Sequence, residues 1–374
     1  MNTLVDPTLF DPFTLGDLTL PNRLVMAPMT RSRATPDGRA TGAMAEYYAQ
    51  RASAGLMVSE AINVSPLSNP FERAPGLYTP AQVQSWQPVL ERVHAAGGRL
   101  FAQLWHGGRI GAMSTLDWAA PLSPSGVNED VETLHVWALL ANGNYARISA
   151  TPSRAMTLDE IRHTISEYRQ AAHNAMQAGF DGVEIHAANG YLPHQFLSPH
   201  VNRRTDDYGG SIANRARFLK ETVQAISEVV PISRVGVRLS PFTAYNNALD
   251  DAPEKTYTHV AQMLQAHAVS YINISDANGW YGAPDLDKIL PILQPHFDGA
   301  LIANGGLTPE QAESLVRTGR VPLIGFGRYF LANPDLVERL RQHAPLNAIN
   351  ERRIYAGGED GYTDYPCMNQ AVSA

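Results

Sequence analysis

The 374-residue chain has one cysteine, Cys367. A single thiol cannot build a disulfide framework, a CxxC redox pair or a cysteine zinc site within the chain. Lysine is nearly as scarce: Lys220, Lys255 and Lys288 are the whole set, against 29 lysines and arginines together. No apolar run approaches membrane-spanning length, and VWALLA (136–141) is among the longest. The opening MNTLVDPTLFDPF has neither the basic n-region nor the apolar h-region of a secretory signal, so a cytoplasmic, soluble protein is expected. Positive charge is not in excess either. A net charge of −7 speaks against nucleic acid or an anionic membrane as a partner.

What is present is core-forming material, 44% apolar and 17% charged, with no internal linker or low-complexity tract. A single domain over 1–374 is expected. Short apolar runs alternate with stretches of helical period. The runs are RLVMAP (23–28), LMVSE (56–60), RLFAQLWH (99–106), GVEIH (182–186), RVGVRLS (234–240), SYINIS (270–275), GALIANGG (299–306) and PLIGFGR (322–328). Helices are expected at 41–55, closed by Gly55, and at 79–98, opened by Thr79, Pro80 and Gln82 as N-cap, N1 proline and capping-box acceptor. A Thr157/Glu160 capping box opens the next, with Ile161, Ile165, Tyr168, Ala172, Ala175 and Met176 on one face. Others fall near 212–230, 253–268 and 284–296, after Thr308, and from about Asn333.

Eight strand–helix units predict an α/β fold, a (β/α)8 TIM barrel, whose strands are covered on both faces and therefore apolar throughout. The chain is longer than the ~250 residues typical of that fold, so extensions are expected. LFDPFTLGDLTLPN carries a Gly-Asp turn and predicts an N-terminal hairpin capping the barrel's bottom. Segment 107–156, after strand three, contains Asn142-Gly143, a strong hairpin signal, and is a candidate lid.

In such barrels chemistry sits at the C-terminal ends of the strands. A Schiff-base aldolase needs a lysine there, and all three lysines fall in helices. A glycosidase needs two facing carboxylates; Glu60 is at a strand end, but Glu184 lies two residues short and is expected to point elsewhere. His106 and His186 lie on adjacent strands without HxH or HExxH spacing, so no metal is expected. Asn304-Gly305-Gly306 and Gly327-Arg328 follow strands seven and eight, where these barrels often bind phosphate. Glycines let backbone N–H groups approach phosphate oxygens and arginine adds a bidentate contact; the same glycines could simply make tight turns. Gln103, Arg238 and Thr30 can hydrogen-bond a flat heterocycle, and phosphate plus a polar ring suggests flavin mononucleotide. An arginine at the ring's pyrimidine edge stabilises the charge that arises on reduction; Arg238 could equally be a structural ion-pair partner.

RLVMAPMTR, AEYYAQRASAGLMVSEA, QLWHGGR, GFDGVEIHAANGYLPHQFLSP, NRRTDDYGGSIANRARF, GVRLSP, GFGRYFLANPDLVERL and YAGGEDGYTDYP are long and in order. On these stretches the chain resembles the old yellow enzyme family of FMN-dependent ene-reductases over essentially its whole length, most of all the branch with bacterial N-ethylmaleimide reductases. The resemblance implies non-covalent FMN, with NADPH or NADH as reductant and electron-poor alkenes as substrates. It implies that Pro28, Thr30, Ala61, Gln103 and Arg238 hold the ring, Thr30 tuning its potential, and that Gly305, Gly306, Gly327 and Arg328 hold the phosphate. Trp105, Tyr191, Phe71, Trp280 and Tyr355 fall where the family places aromatic side chains over the flavin.

The resemblance also gives the cluster His186, Asn189 and Tyr191 a mechanism. His186 and Asn189 would share the oxygen of an activating carbonyl or nitro group while hydride arrives at the β-carbon, and Tyr191 would protonate the α-carbon. Taken by themselves, the same residues could cap backbone carbonyls and pack at a rim. Asn189 stands where many bacterial members carry a second histidine, and an amide does not titrate, so this pair should be less sensitive to pH. Pro193 also departs from the family pattern and is expected to stiffen its loop. Two other readings have their own discriminators. A non-catalytic flavin-binding redox sensor or store would not need His186, Asn189 and Tyr191. A flavin-free isomerase or lyase on a phosphorylated substrate would leave Thr30, Gln103 and Arg238 without a shared purpose. The choice between NADPH and NADH is expected to lie with segment 107–156, and the sequence is compatible with a monomer or homodimer.

Overall fold

The computed structural model describes residues 6–275 and 285–368. The chain opens with a hairpin of β1 (Phe13–Leu15) and β2 (Leu18–Leu20), antiparallel around Gly16-Asp17. The first barrel strands follow: β3 (Leu24–Met26), β4 (Leu56–Asn63) and β5 (Leu100–Trp105). The insertion carries β6 (Leu122–Ser123), β7 (His135–Leu139), β8 (Tyr145–Ser149) and β9 (Arg154–Ala155). The barrel then resumes with β10 (Gly182–Ala187), β11 (Val235–Leu239), β12 (Tyr271–Ser275), β13 (Ala300–Asn304) and β14 (Leu323–Phe326). All eight expected runs are parallel strands, and β14 closes on β3.

Helices cover the outside. They are α1 (Gly42–Gln50), α2 (Pro80–Ala95), α3 (Leu158–Ala178), α4 (Leu192–Leu197) and α5 (Ile212–Ser227), followed by α6 (Pro253–Ala266), α7 (Leu286–Leu293), α8 (Pro309–Arg317), α9 (Arg328–Ala332) and α10 (Leu336–Arg341). The capping boxes at Thr79 and Thr157 form as expected. Three details differ from the sequence reading. The first helix ends at Gln50, because the chain must turn to bring Gly55 against Asn22, where a Cβ would meet the Asn22 carbonyl oxygen at 2.1 Å. The last helix, expected from about Asn333, is α10, and a short α9 that the sequence did not signal precedes it; before Pro334, Asn333 takes extended backbone at φ −129°, which separates the two. Pro193 lies in the first turn of α4 rather than in a loop, where its missing N–H costs nothing.

Side chains on a strand alternate between faces, and the alternation decides what the barrel encloses. Val183, Ile185, Val237, Ile272 and Ile274 face the helices in the main core. Inside, the lowest layer holds Val25, Leu56, Val58, Phe101, Tyr271, Ile302 and Leu323, packed with Leu15, Leu18 and Leu20 of the hairpin. The hairpin therefore plugs the bottom with apolar surface. Two residues higher the interior turns polar, with Gln103, Glu184 and Asn273 fully or almost fully buried. The next inward residues reach the open mouth.

One glycine makes the lower layers possible. At Gly236 a Cβ would sit 2.0 Å from the Tyr271 ring, which occupies the space a side chain would need. Gly236→Ala should therefore lower stability by about 3 kcal/mol through overpacking, measured by urea unfolding. A loss below about 0.5 kcal/mol would show that the ring can move aside.

Candidate active site

A cleft opens at the C-terminal mouth of the barrel. Pro28, Thr30, Ala61, Phe71, Gln103, Trp105, His186, Asn189, Tyr191, Arg238, Gly305, Gly306, Gly327, Arg328 and Tyr355 all line it. Trp280, also expected there, lies outside the described residues. Asn304, read from sequence with the phosphate loop, lines it too, as do Met29, Ser275, Tyr245, Leu331 and Ile354, to which the sequence assigned no role. Ser275 and Asn304 end their strands on inward positions.

Beneath the cleft floor, register aligns Gln103 with Glu184 across β5 and β10, and Arg238 with Asn273 across β11 and β12. Gln103 Nε2 donates to Glu184 Oε1 at 2.7 Å and Asn273 Nδ2 donates to Oε2 at 2.9 Å. Glu184 thus points into the barrel below the mouth. Arg238, 8% exposed, donates through Nη2 to Ser275 Oγ at 3.1 Å. Its Nε and Nη1 are buried with no partner among the described residues. Arg238 also lines the cleft, so its guanidinium is placed to meet an external acceptor there.

Glu60, the other strand carboxylate, turns away from the cleft. A bulge in β4 between Val58 and Ala61 aims Ala61 inward, while Glu60 accepts from the Arg31 backbone N–H at 3.3 Å and from Tyr48 Oη at 3.4 Å. Burial pushes its carboxyl up to about 7, against the pull of Arg31 and Arg33. Arg31 and Arg33 donate to the carbonyls of Ile354, Gly358, Asp360 and Gly361. They hold the segment that presents Tyr355.

His186, Asn189 and Tyr191 come together where β10 gives way to α4. His186 Nδ1 accepts the Ala188 N–H at 3.4 Å, so the neutral ring carries its proton on Nε2. Burial, with help from the Arg238 charge, holds His186 well below its usual pKa and keeps it neutral. Asn189 adopts φ +56°, a left-handed conformation that asparagine tolerates. Its N–H donates to Ser240 Oγ at 2.8 Å, its carbonyl accepts from Asn246 Nδ2 at 2.9 Å, and its Oδ1 accepts from Ser275 Oγ at 3.5 Å. Nδ2 is then the free end of the amide. The Tyr191 ring stands edge-on to His186 and Trp105, at 4.9 and 5.0 Å between centroids. Burial raises the Tyr191 hydroxyl well above the usual phenol range, so it stays protonated.

The far end of the cleft is made of glycine. Gly305 at φ +124° and Gly306 at φ +61° turn the chain after β13 in a way open to few other residues. Gly327 leads into α9, which begins with Arg328. The opposite wall is aromatic: Phe71 lies 5.4 Å from Trp105 and 5.9 Å from Tyr355. Behind them stand Trp137, 4.7 Å from Tyr355, and Tyr145, stacked on Trp137 at 5.5 Å. Both belong to the β7–β8 hairpin, tied to the strand-two loop by Trp137 N to Pro70 O and Glu72 N to Trp137 O. Asn142-Gly143 signalled that hairpin; its docking surface could not be read from sequence. Buried Arg109 anchors the same insertion through paired bonds to Asp130 at 2.8 and 2.7 Å.

His194 supports the turn from α4, accepting the Gly190 N–H on Nδ1 at 2.9 Å, and burial lowers its pKa to about 4. The folded ring stays neutral while the unfolded one protonates below about 6.5, so this contribution is present above pH 6.5 and is lost as pH falls. Relative to His194→Gln, the wild type should lose about 2 kcal/mol between about pH 6.5 and pH 5, measured by denaturant unfolding at each pH. A pH-independent difference would show that His194 titrates normally.

An arginine lining the cleft, a glycine-built end and an aromatic wall fit a flat polar ring carrying a phosphate. The comparisons with known proteins agree. The model of the NADH:flavin oxidoreductase / NADH oxidase family matches residues 8–347. The chain is 38% identical to 12-oxophytodienoate reductase 2 of Arabidopsis thaliana, over 97% of this chain and 96% of that protein. It is 36% identical to a Leishmania infantum protein named "probable flavin mononucleotide-dependent alkene reductase", over 96% and 97%. Among solved structures, morphinone reductase in complex with tetrahydroNAD superposes with a TM-score of 0.92 at 41% identity, over 99% of this chain and all of that one. The chain therefore belongs to the NADH:flavin oxidoreductase / NADH oxidase family, as an FMN-dependent oxidoreductase of the old yellow enzyme type.

Proposed function

We propose that the protein reduces the C=C bond of electron-poor alkenes, namely α,β-unsaturated carbonyl, maleimide or nitro compounds, with electrons from NADH or NADPH. The observation that carries this reading is the convergence of two neutral donors and a protonated phenol on one cleft. His186 Nε2–H and Asn189 Nδ2–H are held outward because Ala188 and Ser275 engage the opposite end of each side chain. Together they hold the oxygen of the activating group and favour the charge that gathers on it. Tyr191 Oη–H gives the proton to the α-carbon, and its raised pKa keeps that proton available at neutral pH.

When bound, FMN would supply the redox chemistry, hydride transfer between the nicotinamide and the alkene's β-carbon. The groups suited to hold it are Arg238 and Gln103 at the ring's polar edge, Pro28, Thr30 and Ala61 beside it, and Gly305, Gly306, Gly327 and Arg328 at the phosphate. Trp105, Phe71 and Tyr355 exclude water on the aromatic side. The nicotinamide and the alkene occupy the same space in turn, so turnover divides into two half-reactions. The tetrahydroNAD complex of morphinone reductase and the name of the Leishmania relative support the electron source and the alkene class.

Purified protein should be yellow, bleach under NADPH without oxygen, and regain colour when 2-cyclohexenone is added. Colourless protein would sink the reading. In stopped-flow measurements Tyr191→Phe should slow the alkene half-reaction by about 10²–10⁴-fold and leave reduction by NADPH nearly unchanged. Equal losses in both halves would remove Tyr191 as the proton donor.

A further inference from the structure

Glu184 has no part in the reaction above, yet its carboxyl lies just beneath the cleft, bonded to the cleft-lining Gln103. It is fully buried, and its carboxylate takes an amide N–H from Gln103 and another from Asn273. Amide N–H groups can only donate, so both oxygens are used as acceptors and the arrangement favours the ionised group. In register Glu184 stands opposite Gly236, and Asn273 reaches the carboxylate from β12, the strand beyond. Gln103 is consequently fixed with its Nε2 turned down, which presents its carbonyl oxygen and remaining N–H to the cleft.

The same carboxylate faces Arg238 through space. No direct ion pair joins them among the described residues, but Glu184 is the largest influence holding the arginine charged against burial. Burial pushes the Glu184 carboxyl above its usual range, and Arg238 is the largest influence opposing that, followed by the hydrogen bonds from Asn273 and Gln103. Arg238 lines the mouth, and Glu184 stands two residues lower on the neighbouring strand. The field that reaches the cleft is therefore that of a partly compensated cation.

We propose that Glu184 is a positioning residue for bound FMN: its buried carboxylate fixes the Gln103 amide, offsets the Arg238 charge, and holds the cofactor's two-electron potential below the value Arg238 alone would set. This rests on the reading above that Arg238 and Gln103 meet the cofactor. A cation near the ring favours the charge taken up on reduction, and a carboxylate behind that cation reduces the effect.

The test is the midpoint potential of the FMN-loaded protein by spectroelectrochemistry, for wild type, Glu184→Gln, Glu184→Ala and Glu184→Asp. Gln and Ala remove the charge and should move the potential positive by at least a factor of ten in the reduction equilibrium, about 30 mV for a two-electron couple. Asp keeps the charge and should stay within about threefold of wild type. A packing role alone would change FMN affinity and melting temperature without this split by charge. The proposal is overturned if either uncharged variant binds FMN at wild-type potential or shifts negative. It is overturned equally if neither uncharged variant takes up FMN while Asp does, since Glu184 would then serve binding. Arg238→Leu tests the underlying placement separately: a lower potential or lost FMN supports it, and unchanged affinity and potential would overturn the cofactor reading itself.

Discussion

Closure of eight parallel strands is the constraint on which everything else rests. With no free sheet edge and helices covering the outer face, only inward residues near the strands' C-terminal ends can meet a ligand. The two-residue period then sorts the chain with little freedom. Phe101, Gln103 and Trp105 of β5 fall successively in the plug, the buried polar layer and the cleft wall. Tyr271, Asn273 and Ser275 repeat the progression on β12. A one-residue slip in either strand would exchange these positions for Ala102 or Ile272, which belong to the apolar core. Site and core are thus specified by the same register.

Arginine carries a second burden. Arg51 is buried with donors spent on the carbonyls of Phe330, Leu331, Tyr47 and Tyr362, while Arg31 and Arg33 collect those of the segment near Tyr355. A guanidinium can serve several carbonyls at once in a fixed fork, which an ammonium cannot match. Tyr47 and Tyr362, stacked at 4.1 Å, lie within 5.0 Å of the Arg31 charge and cover it. The C-terminal segment, whose regular structure is one 3-10 turn at Glu351–Arg353 among the described residues, is held to the barrel by cations, and Tyr355 keeps its place in the aromatic wall.

The local signals in the chain were reliable where one short stretch decides the outcome. Thr79 and Thr157 cap their helices, Gly16-Asp17 and Asn142-Gly143 turn their hairpins, and each apolar run becomes a strand. Legibility failed where distant stretches had to meet. Gly55 looked like a helix stop, but its role is a close approach to Asn22. Glu60 ends an apolar run in the sequence, but a bulge turns it toward Tyr48 and Arg31. Trp137 and Tyr145 read only as hairpin residues until the hairpin docked against Phe71 and Tyr355.

By itself, then, the sequence determined the barrel, the order of its strands and the residue types gathered at its mouth, because periodicity, caps and turns are local and the fold repeats them eight times. The resemblance added the chemistry those types serve. Only the tertiary structure decided which polar groups answer one another. The pairing of Glu184 with Gln103 and Asn273, the outward amide of Asn189 set by Ser275, and the neutral ring of His186 depend on register between strands far apart in the chain. Hydrogen bonds and burial act over a few ångströms in space, and no spacing along the sequence encodes that distance.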